Sequence, residues 1–458
     1  MNTIQRALSI HEASFPIYAE LSPGAGNIVA CLRLRGSLSY QQAMDGFSKL
    51  MSVEPSLRVG IEWLHPEGQP ENYYAVEVDS EGVPFEQLTL AEGDDIAQSA
   101  AKVRESLLNQ PFQRGHLLWR ARLLSRDLEH CLVFSINHGL SDGTSVHYLL
   151  NRWLEAMDGS QLLDAYDGAI APSLWSYMPK KISGFFGAFR SLGMLSTFVK
   201  AQKLADQGLA FKVGDNVPAE EHRCRSTYRT LEKGHFGHLL SLVKQSNKSI
   251  HGLVGAATVS AFLSDSKDAG NLSNIGDDFA MPFVTTVNVR DKIDPPLSNK
   301  VAGSFSSGVT GMVKVDQQCI DSAYQEAPWL LGDQIASGVT AALEEDQHWK
   351  VLRIYQLAGF KGLKKMFLDS SEKPLATPIS FANLGRVDFS CQTLTVTGYE
   401  IYAAFHVSGA GMNITASTLN GALTLCFTGP SPAINEEVMN GYADKVVALL
   451  KKWAQLGK

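Results

Sequence analysis

The residues best able to do chemistry stand together in one short segment of the chain. It contains Asn137 and His138, followed at a short distance by Asp142 and Gly143. An uncharged imidazole with an ordinary pKa near ~6.5 accepts a proton from a hydroxyl or an amine at neutral pH. His138 is therefore a candidate general base. Taken alone, a histidine in this position also fits a structural role, and the residues leave both interpretations open.

The elements on either side of this segment predict how the histidine is held. The apolar run before it indicates a buried strand over residues 129–137, and apolar residues at helical spacing after it predict an amphipathic helix over residues 143–158. The Asp142 carboxylate is suited to cap that helix, and Gly139 and Gly143 permit tight turns. We therefore expect a rigid strand, loop and helix that present the imidazole to a cleft.

Strand and helix patterns alternate along the rest of the chain, which predicts an α/β protein. Further strands are predicted over residues 26–35, 70–77, 117–125, 226–232, 278–288, 377–383, 394–406, 412–419 and 422–428. Further helices are predicted over residues 39–51, 95–109, 234–246, 249–265, 318–345, 352–367 and 434–456.

Composition and charge exclude several classes of protein. The chain has 458 residues, 45% of them hydrophobic, and its 40 basic and 47 acidic side chains give a net charge of −7. This balance argues against disorder and against a nucleic-acid-binding protein. The six cysteines are scattered singly, as expected of reduced thiols. Because the N-terminus shows no signal-peptide pattern and no apolar run reaches the ~20 residues of a transmembrane helix, we expect a cytoplasmic protein.

A basic segment separates the two halves of the chain. Residues 168–205 carry five Lys or Arg side chains and no acidic one, and their apolar residues fall near helical spacing. We expect lobes at residues 1–165 and 215–458, joined by residues 166–214. Two interpretations of this connection stay open. It either packs its aromatic stripe on the protein with its lysines solvated, or forms a basic amphipathic surface that meets a membrane, a long acyl substrate or an acidic carrier protein.

The segment around His138 resembles the signature of the superfamily of CoA- and carrier-dependent acyltransferases with the chloramphenicol acetyltransferase fold. That signature is His-His-x-x-x-Asp-Gly, and Asn137 stands here in its first position. Other stretches resemble the family in the same order along the chain, namely residues 6–12, 54–58, 111–120, 287–290 and 380–387. The sequence has no Asp-Phe-Gly-Trp-Gly segment, which argues against the plant alcohol acyltransferases. The resemblance is therefore to condensation domains and to the polyketide-associated acyltransferases of mycobacterial waxes.

This resemblance implies a fold and a reaction. The fold would be two chloramphenicol-acetyltransferase-like lobes that form a pseudo-dimer with a tunnel between them. The reaction would move an acyl group from a thioester of CoA or of an acyl carrier protein to a hydroxyl acceptor, forming an ester in specialised or lipid metabolism. His138 would act as general base without an acyl-enzyme, because both substrates meet at it.

The same resemblance implies partners and a co-substrate. We expect a small-molecule or lipid-like acceptor, and an acyl-CoA or a phosphopantetheine-linked thioester as donor. An acyl or peptidyl carrier protein is a possible partner. We expect no permanently bound cofactor, no metal, no nucleic acid and no second copy of the chain in a stable oligomer.

The resemblance also implies roles for residues around the base. In the family, the aspartate of the signature pairs with an arginine, for which Arg290 is the match, so Asp142, Gly143 and Arg290 would organise the loop. The candidates to stabilise an oxyanion or to bind substrate are Asn137, Ser307, Ser380 and Asn383. For the last two, a turn with Gly385 is an equally good explanation.

Two other functions stay open, a free-standing condensation enzyme that forms an amide and a non-catalytic relative that binds a carrier protein or an acyl ligand. A serine hydrolase is disfavoured because the chain has no Gly-x-Ser-x-Gly elbow. His235 and His238 lack a nearby carboxylate that would complete a metal site. A cluster of lysines at residues 361–365 is explained either as a solvated helix face or as a site for CoA phosphates or an acidic carrier protein.

Overall fold

The computed structural model describes residues 3–78, 82–90, 93–162, 168–194, 217–268, 280–316, 328–371 and 377–457. The chain divides into two units, each of which combines helices with β-sheet. Unit 1 comprises Met1–Met178, Asn288–Ser306 and Val387–Ala404, and unit 2 comprises Pro179–Val287, Ser307–Arg386 and Phe405–Lys458. The α/β class predicted from the alternating patterns is confirmed.

The elements of unit 1 begin near the N-terminus and end with a strand from the last quarter of the chain. They are β1 (Ile4–Ala7), α1 (Ile10–Leu21), β2 (Asn27–Gly36), α2 (Tyr40–Val53), β3 (Val59–Leu64), β4 (Asn72–Glu77), β5 (Phe85–Leu88), α3 (Ile96–Asn109), β6 (Trp119–Arg126), β7 (Glu129–Asn137), α4 (Gly143–Met157) and β12 (Leu394–Ala403).

In the described part of unit 1, the strands form a five-stranded sheet in the order β12-β2-β7-β6-β5 and a three-stranded sheet in the order β1-β4-β3. β7 lies between β2 and β6 and is antiparallel to both. Every residue of β7 after Glu129 is buried, which is why apolar residues dominate its sequence although a histidine, a serine and an asparagine interrupt them. On this sheet, the ring of Phe47 from α2 packs 5.0 to 6.3 Å, between centroids, from the rings of Trp119, Phe134 and Trp153.

Unit 1 is completed by segments that are remote in sequence. β12 pairs antiparallel with β2 along its whole length, from Leu394 opposite Gly36 to Ala403 opposite Ile28. Residues 288–306 and 387–404 belong to unit 1, whereas the expected lobe 215–458 contained both. The expected lobe limits came from the change in composition at the basic segment. Such a change cannot indicate that β12, much later in the chain, pairs with the sheet of unit 1.

The elements of unit 2 follow the same alternation of helices and strands. They are α5 (Lys180–Ser183), α6 (Phe185–Leu192), β8 (Arg223–Leu231), α7 (Lys233–Gln245), α8 (Ile250–Asp268), β9 (Ala280–Asn288), β10 (Ser306–Lys314), α9 (Trp329–Glu344), α10 (Gln347–Ser371), β11 (Thr377–Arg386), β13 (Ala410–Leu419), β14 (Ala422–Ser431) and α11 (Glu436–Ala454).

The described strands of unit 2 form one sheet in the order β10-β9-β11-β13-β14-β8. α8 and α11 cover it, and the Tyr442 hydroxyl of α11 donates to the Thr258 carbonyl of α8 at 2.9 Å. α8 also packs closely on α9, because a Cβ at Gly252 would lie 2.4 Å from the Gly332 carbonyl oxygen. The helix predicted over 318–345 appears as α9, and residues 317–327 lie outside the described residues.

The basic connection is divided between the two units. Residues 168–178 belong to unit 1, and α5 and α6 belong to unit 2, where both contact α10. Residues 195–216, with the lysines at 200 and 203, lie outside the described residues. Among the helices that the structure describes, none combines the length and apolarity needed to cross a bilayer.

Candidate active site

β7 and the turn after it fix the position of His138. The backbone N–H of His138 donates to the Gly26 carbonyl at 2.8 Å, at the end of β7 where the chain leaves the sheet. Residues 138–140 form a single 3-10 turn, and α4 begins at Gly143. The imidazole therefore projects from a backbone that is hydrogen-bonded on both sides of it.

Asn137 shapes this turn. Its side-chain oxygen accepts a hydrogen bond from the Gly139 N–H at 2.9 Å. A Cβ at Gly139 would lie 2.9 Å from that same oxygen and 3.0 Å from the Glu12 carbonyl oxygen, so the turn has no room for a larger residue. Asn137 thus has a local structural task in the turn that carries His138.

The ring of His138 is held against an aromatic side chain of α1. It stacks on Phe15 with 4.3 Å between centroids and 3° between the planes. The residue is 7% exposed. Burial lowers the pKa of His138 below 6.5 and outweighs the hydrogen bonds to the backbone of His138 and Ser141 and the negative charge of Asp142, which raise it. At neutral pH the imidazole is uncharged and able to accept a proton.

A second buried histidine, His11, belongs to the same cluster and was not found by sequence reasoning. Its ring packs edge-on against Phe15 at 5.7 Å, and its Nε2 lies 3.3 Å from the Ser304 hydroxyl. Burial and then the charge of His138 lower the pKa of His11 to about 4, against the opposing influence of Asp142 and of the Ser306 backbone. The spacing of His11 and Phe15, four residues apart on α1, is the sequence signal that places both rings on one face.

Asp142 is directed toward an arginine. Its two carboxylate oxygens accept from the Arg290 guanidinium at 2.7 and 3.2 Å, and Asp142 also accepts from the Ser145 N–H at 2.8 Å and the Phe305 N–H at 2.9 Å. Burial would raise the pKa of Asp142, but the charge and hydrogen bonds of Arg290 and the two backbone donors lower it overall. The carboxylate is therefore ionised and fully engaged by donors.

Arg290 is itself enclosed, with 1% of its surface exposed. Beyond Asp142, its guanidinium donates to the Ser145 hydroxyl at 2.9 Å and the Val301 carbonyl at 3.0 Å, and lies 4.8 Å above the ring of Phe305. The network ties the start of α4 to residues 288–306. Gly143, the first residue of α4, follows the cap that the Asp142 side chain provides.

The other predicted site residues belong to unit 2. The Ser307 hydroxyl donates to the His348 carbonyl at 2.7 Å, and Ser380 is a half-buried residue of β11. The Asn383 side-chain oxygen accepts from the Gly385 N–H at 2.9 Å, and Gly385 has a φ of +71°. Both residues lie within β11, whose register with β13 shifts between Asn383 and Arg386, so Asn383 shapes an irregularity of the strand.

The described residues contain no group of three or more His, Cys, Asp or Glu side chains arranged to hold a metal ion.

The chain shares its fold with condensation domains and related acyltransferases. Polyketide synthase associated protein 5 from Mycobacterium tuberculosis aligns over 100% of both chains with a TM-score of 0.64 and 14% identity. TRI3 trichothecene 15-O-acetyltransferase from Fusarium sporotrichioides aligns over 98% of this chain and 95% of its own, with a TM-score of 0.72 and 12% identity. The predicted class of two chloramphenicol-acetyltransferase-like lobes is confirmed, and the tunnel stays a prediction.

Two further similarities concern a condensation domain and a family model. The starter condensation domain of rhizomide synthetase RzmA, in a structure that contains C8-CoA, aligns over 99% of this chain and 95% of its own, with a TM-score of 0.63 and 12% identity. Residues 220–427 match the family model described as phthiocerol/phthiodiolone dimycocerosyl transferase C-terminus. No curated protein matches the chain in a comparison of sequences.

Proposed function

We propose that this protein is an acyltransferase that moves an acyl group from a CoA or carrier-protein thioester to a hydroxyl acceptor, with His138 as general base. The observation that carries the proposal is the imidazole of His138, uncharged because of its burial and held by the stack on Phe15. The family match and the shared fold support acyl transfer as the class of reaction.

The chemistry needs one proton acceptor and no covalent intermediate on the protein. His138 takes the proton of the acceptor hydroxyl while the oxygen forms a bond to the thioester carbonyl carbon. The tetrahedral oxyanion collapses, the carbon–sulfur bond breaks, and the imidazolium returns its proton to the departing sulfur. The products are an ester and a thiol, and His138 is again neutral.

Asp142 acts in this scheme through charge and structure. Its oxygens face the donors of Arg290, Ser145 and Phe305, so the carboxylate does not relay the proton of the imidazole. Its negative charge raises the pKa of His138, which stabilises the imidazolium that forms during the reaction. Asp142 and Arg290 are positioning residues that hold the loop carrying His138.

Donors for the oxyanion are proposed among Asn137, Ser307, Ser380 and Asn383. Removal of one such donor typically slows the reaction by about 10²–10³-fold. Ser307 would have to give up its bond to the His348 carbonyl, and the oxygen of Asn383 is engaged by Gly385, which leaves its amide NH₂ as the donor. The amides of Asn137 and Asn383 are therefore the preferred candidates.

The nature of the two substrates rests on the similar proteins. The C8-CoA in the condensation-domain structure supports an acyl thioester as donor, and the name of the trichothecene acetyltransferase supports an oxygen acceptor. The description of the matching family supports a role in polyketide-associated lipid metabolism. A small or lipid-like alcohol is therefore the proposed acceptor.

The test is release of thiol from a panel of acyl-CoAs and acylated carrier proteins, with alcohols and amines offered separately. We expect release that depends on an alcohol and yields the ester, identified by mass spectrometry. Release that depends only on amines would assign amide formation instead. Tight binding of a carrier protein with no release under any condition would contradict an enzymatic role.

A further inference from the structure

α6 reverses the usual arrangement of apolar and polar faces in a surface helix. Its small residues, Gly187 and Ser191, are buried, whereas its large apolar residues point outward. Phe185, Phe186, Phe189 and Leu192 are 74%, 76%, 61% and 44% exposed. A surface helix of a globular protein normally buries such side chains against the core.

Close packing of the small face fixes this orientation. A Cβ at Gly187 would lie 1.9 Å from the Ile182 carbonyl oxygen, so only glycine permits the contact between α5 and α6. The Ser191 hydroxyl donates to the Gly187 carbonyl at 2.8 Å, and α6 contacts α10. The helix is thus docked by its narrow side and cannot rotate its aromatic side inward without losing that contact.

The outward aromatic residues form a single cluster. Phe185 packs edge-to-face on Phe186 and on Phe189, with centroid distances of 5.7 and 5.4 Å. Phe185, Phe189 and Leu192 follow the i, i+4, i+7 spacing of one helix face. We call Phe185, Phe186, Phe189 and Leu192 the aromatic patch.

The surroundings of the aromatic patch are basic. Residues 179–194 and 346–371 of unit 2, which include α5, α6 and α10, together contain eight Lys or Arg side chains and two acidic side chains, a net charge of +6 within a protein whose net charge is −7. Six of these basic residues are exposed, namely Lys180, Lys181, Arg190, Lys361, Lys364 and Lys365. Two of them form ion pairs, Lys181 with Asp346 and Lys365 with Asp369.

We propose that the aromatic patch inserts into the interface of an anionic membrane, with the surrounding lysines and arginines at the level of the lipid headgroups. A protruding apolar face bordered by cations is the pattern of helices that lie in the plane of a membrane surface. Basic side chains beside it add attraction to acidic lipids. A folded acidic carrier protein would have to supply a groove that fits three protruding rings, whereas a lipid surface adapts to them.

The experiment uses the full-length protein and sedimentable vesicles of phosphatidylcholine, alone or with roughly 30 mol% phosphatidylglycerol. We expect binding to the anionic vesicles that weakens as salt is added, and weak binding to the neutral ones. Replacement of Phe185, Phe186 and Phe189 together by serine should lower the partition coefficient at least about tenfold. The double variant Lys180→Glu, Arg190→Glu should reduce binding on anionic vesicles to the level on neutral ones.

The matched control is Leu128→Ser. Leu128 is 54% exposed in the turn between β6 and β7 of unit 1, and its loss should leave vesicle binding unchanged. Insertion into the membrane is measured with Phe186→Trp. The fluorescence of the introduced tryptophan should be quenched by lipids brominated on the acyl chain. Melting temperatures of all variants should match that of the wild type, because the replaced side chains are exposed.

Three outcomes would overturn the proposal: no wild-type binding to anionic vesicles, undiminished binding of the triple serine variant, or absence of quenching. Capture of an acidic acyl carrier protein that depends on the aromatic patch, without vesicle binding, would assign the surface to that partner instead. The proposal shares no residue with the site around His138, so its failure would leave the acyltransferase assignment untouched.

Discussion

At His138, burial decides which protonation state is present when an acceptor arrives. The buried imidazole has a pKa below 6.5, so the base remains neutral at pH values where an exposed histidine is already partly charged. Protonation is harder in the folded chain than in the unfolded one. As pH falls through ~6.5 toward the lower pKa of the folded state, His138 therefore lowers the free energy of unfolding, because the unfolded chain binds the proton first.

The first prediction concerns the pH dependence of activity. The acid limb of the profile of kcat/KM should lie below pH ~6.5, because that limb reports the pKa of the essential base in the free enzyme. The profile is measured from initial rates at subsaturating concentrations of the thioester and of a neutral alcohol, with a second alcohol as control for substrate ionisation. An acid limb above pH 6.5 would mean that the base is not this buried imidazole.

The second prediction concerns the buried ion pair of Asp142 and Arg290. Removing one partner leaves the other charged and enclosed, so Asp142→Asn and Arg290→Met should each lower the free energy of unfolding by about 3–5 kcal/mol. Together they should cost less than the sum of the two. Urea unfolding of both single variants and the double variant supplies the cycle, and strictly additive losses would show that the pair is not coupled.

The same carboxylate predicts a dependence of stability on pH. The folded pKa of Asp142 is lowered, so its contribution is present above the unfolded value of ~3.9 and is lost as pH falls through the lower folded value. The Asp142→Asn variant lacks this contribution. Its stability should therefore fall less than that of the wild type over that acidic range.

At the scale of secondary structure, α1 supports the site although sequence patterns did not reveal it. Most of α1 is buried, so its apolar residues do not stand out as one face, and Pro16 inside it is a residue that ordinarily breaks helices. A capping box formed by Ser9 and Glu12 starts the helix. The rings of His11 and Phe15, which α1 contributes, were missed for the same reason.

A third prediction follows from the stack between α1 and His138. Phe15→Leu keeps an apolar side chain but removes the ring, so His138 loses its fixed plane. We expect kcat to fall about tenfold or more in Phe15→Leu. The control is Phe47→Leu, a core substitution remote from the stack, and the two variants should have similar melting temperatures. Equal kcat values in the two variants would contradict a positioning role for Phe15.

Other elements show why prediction succeeded or failed. The strand predicted over 129–137 has the same bounds as β7, and the helix predicted over 143–158 differs from α4 by one residue. Both have local signals: an apolar run marks β7, and a cap with helical periodicity marks α4. β10 has the sequence SSGVTGMVK, with serine and glycine residues that disfavour strands. It forms beside β9, a partner that local patterns cannot reveal.

At the scale of the whole molecule, unit 1 depends on segments that follow much of unit 2 in the chain. β12 forms one edge of the five-stranded sheet, and Arg290 neutralises Asp142 inside the same unit. Limits drawn from composition could not anticipate either contact. The pairing of Asp142 with Arg290 was expected from the family resemblance, since spacing alone does not join residues so far apart in sequence.

This arrangement gives a fourth prediction. A fragment of residues 1–178 lacks β12 and leaves the Asp142 carboxylate buried without its counter-ion. We expect it to show no cooperative unfolding transition in urea under conditions where the full-length protein shows one. A cooperative transition with full near-ultraviolet circular dichroism for the fragment would mean that unit 1 does not need its remote segments.

The most direct test of the central claim is the rate of acceptor-dependent thiol release by His138→Ala. His130→Gln is the matched control, since His130 is a buried histidine of β7, the strand that precedes His138, and hydrogen-bonds to Ser125 and the Gly36 carbonyl. With wild-type circular dichroism and a melting temperature near that of the wild type, His138→Ala should lose about 10²–10⁴-fold in kcat/KM, and His130→Gln should retain most of its activity. A folded His138→Ala protein that releases thiol at a near-normal rate would contradict the account.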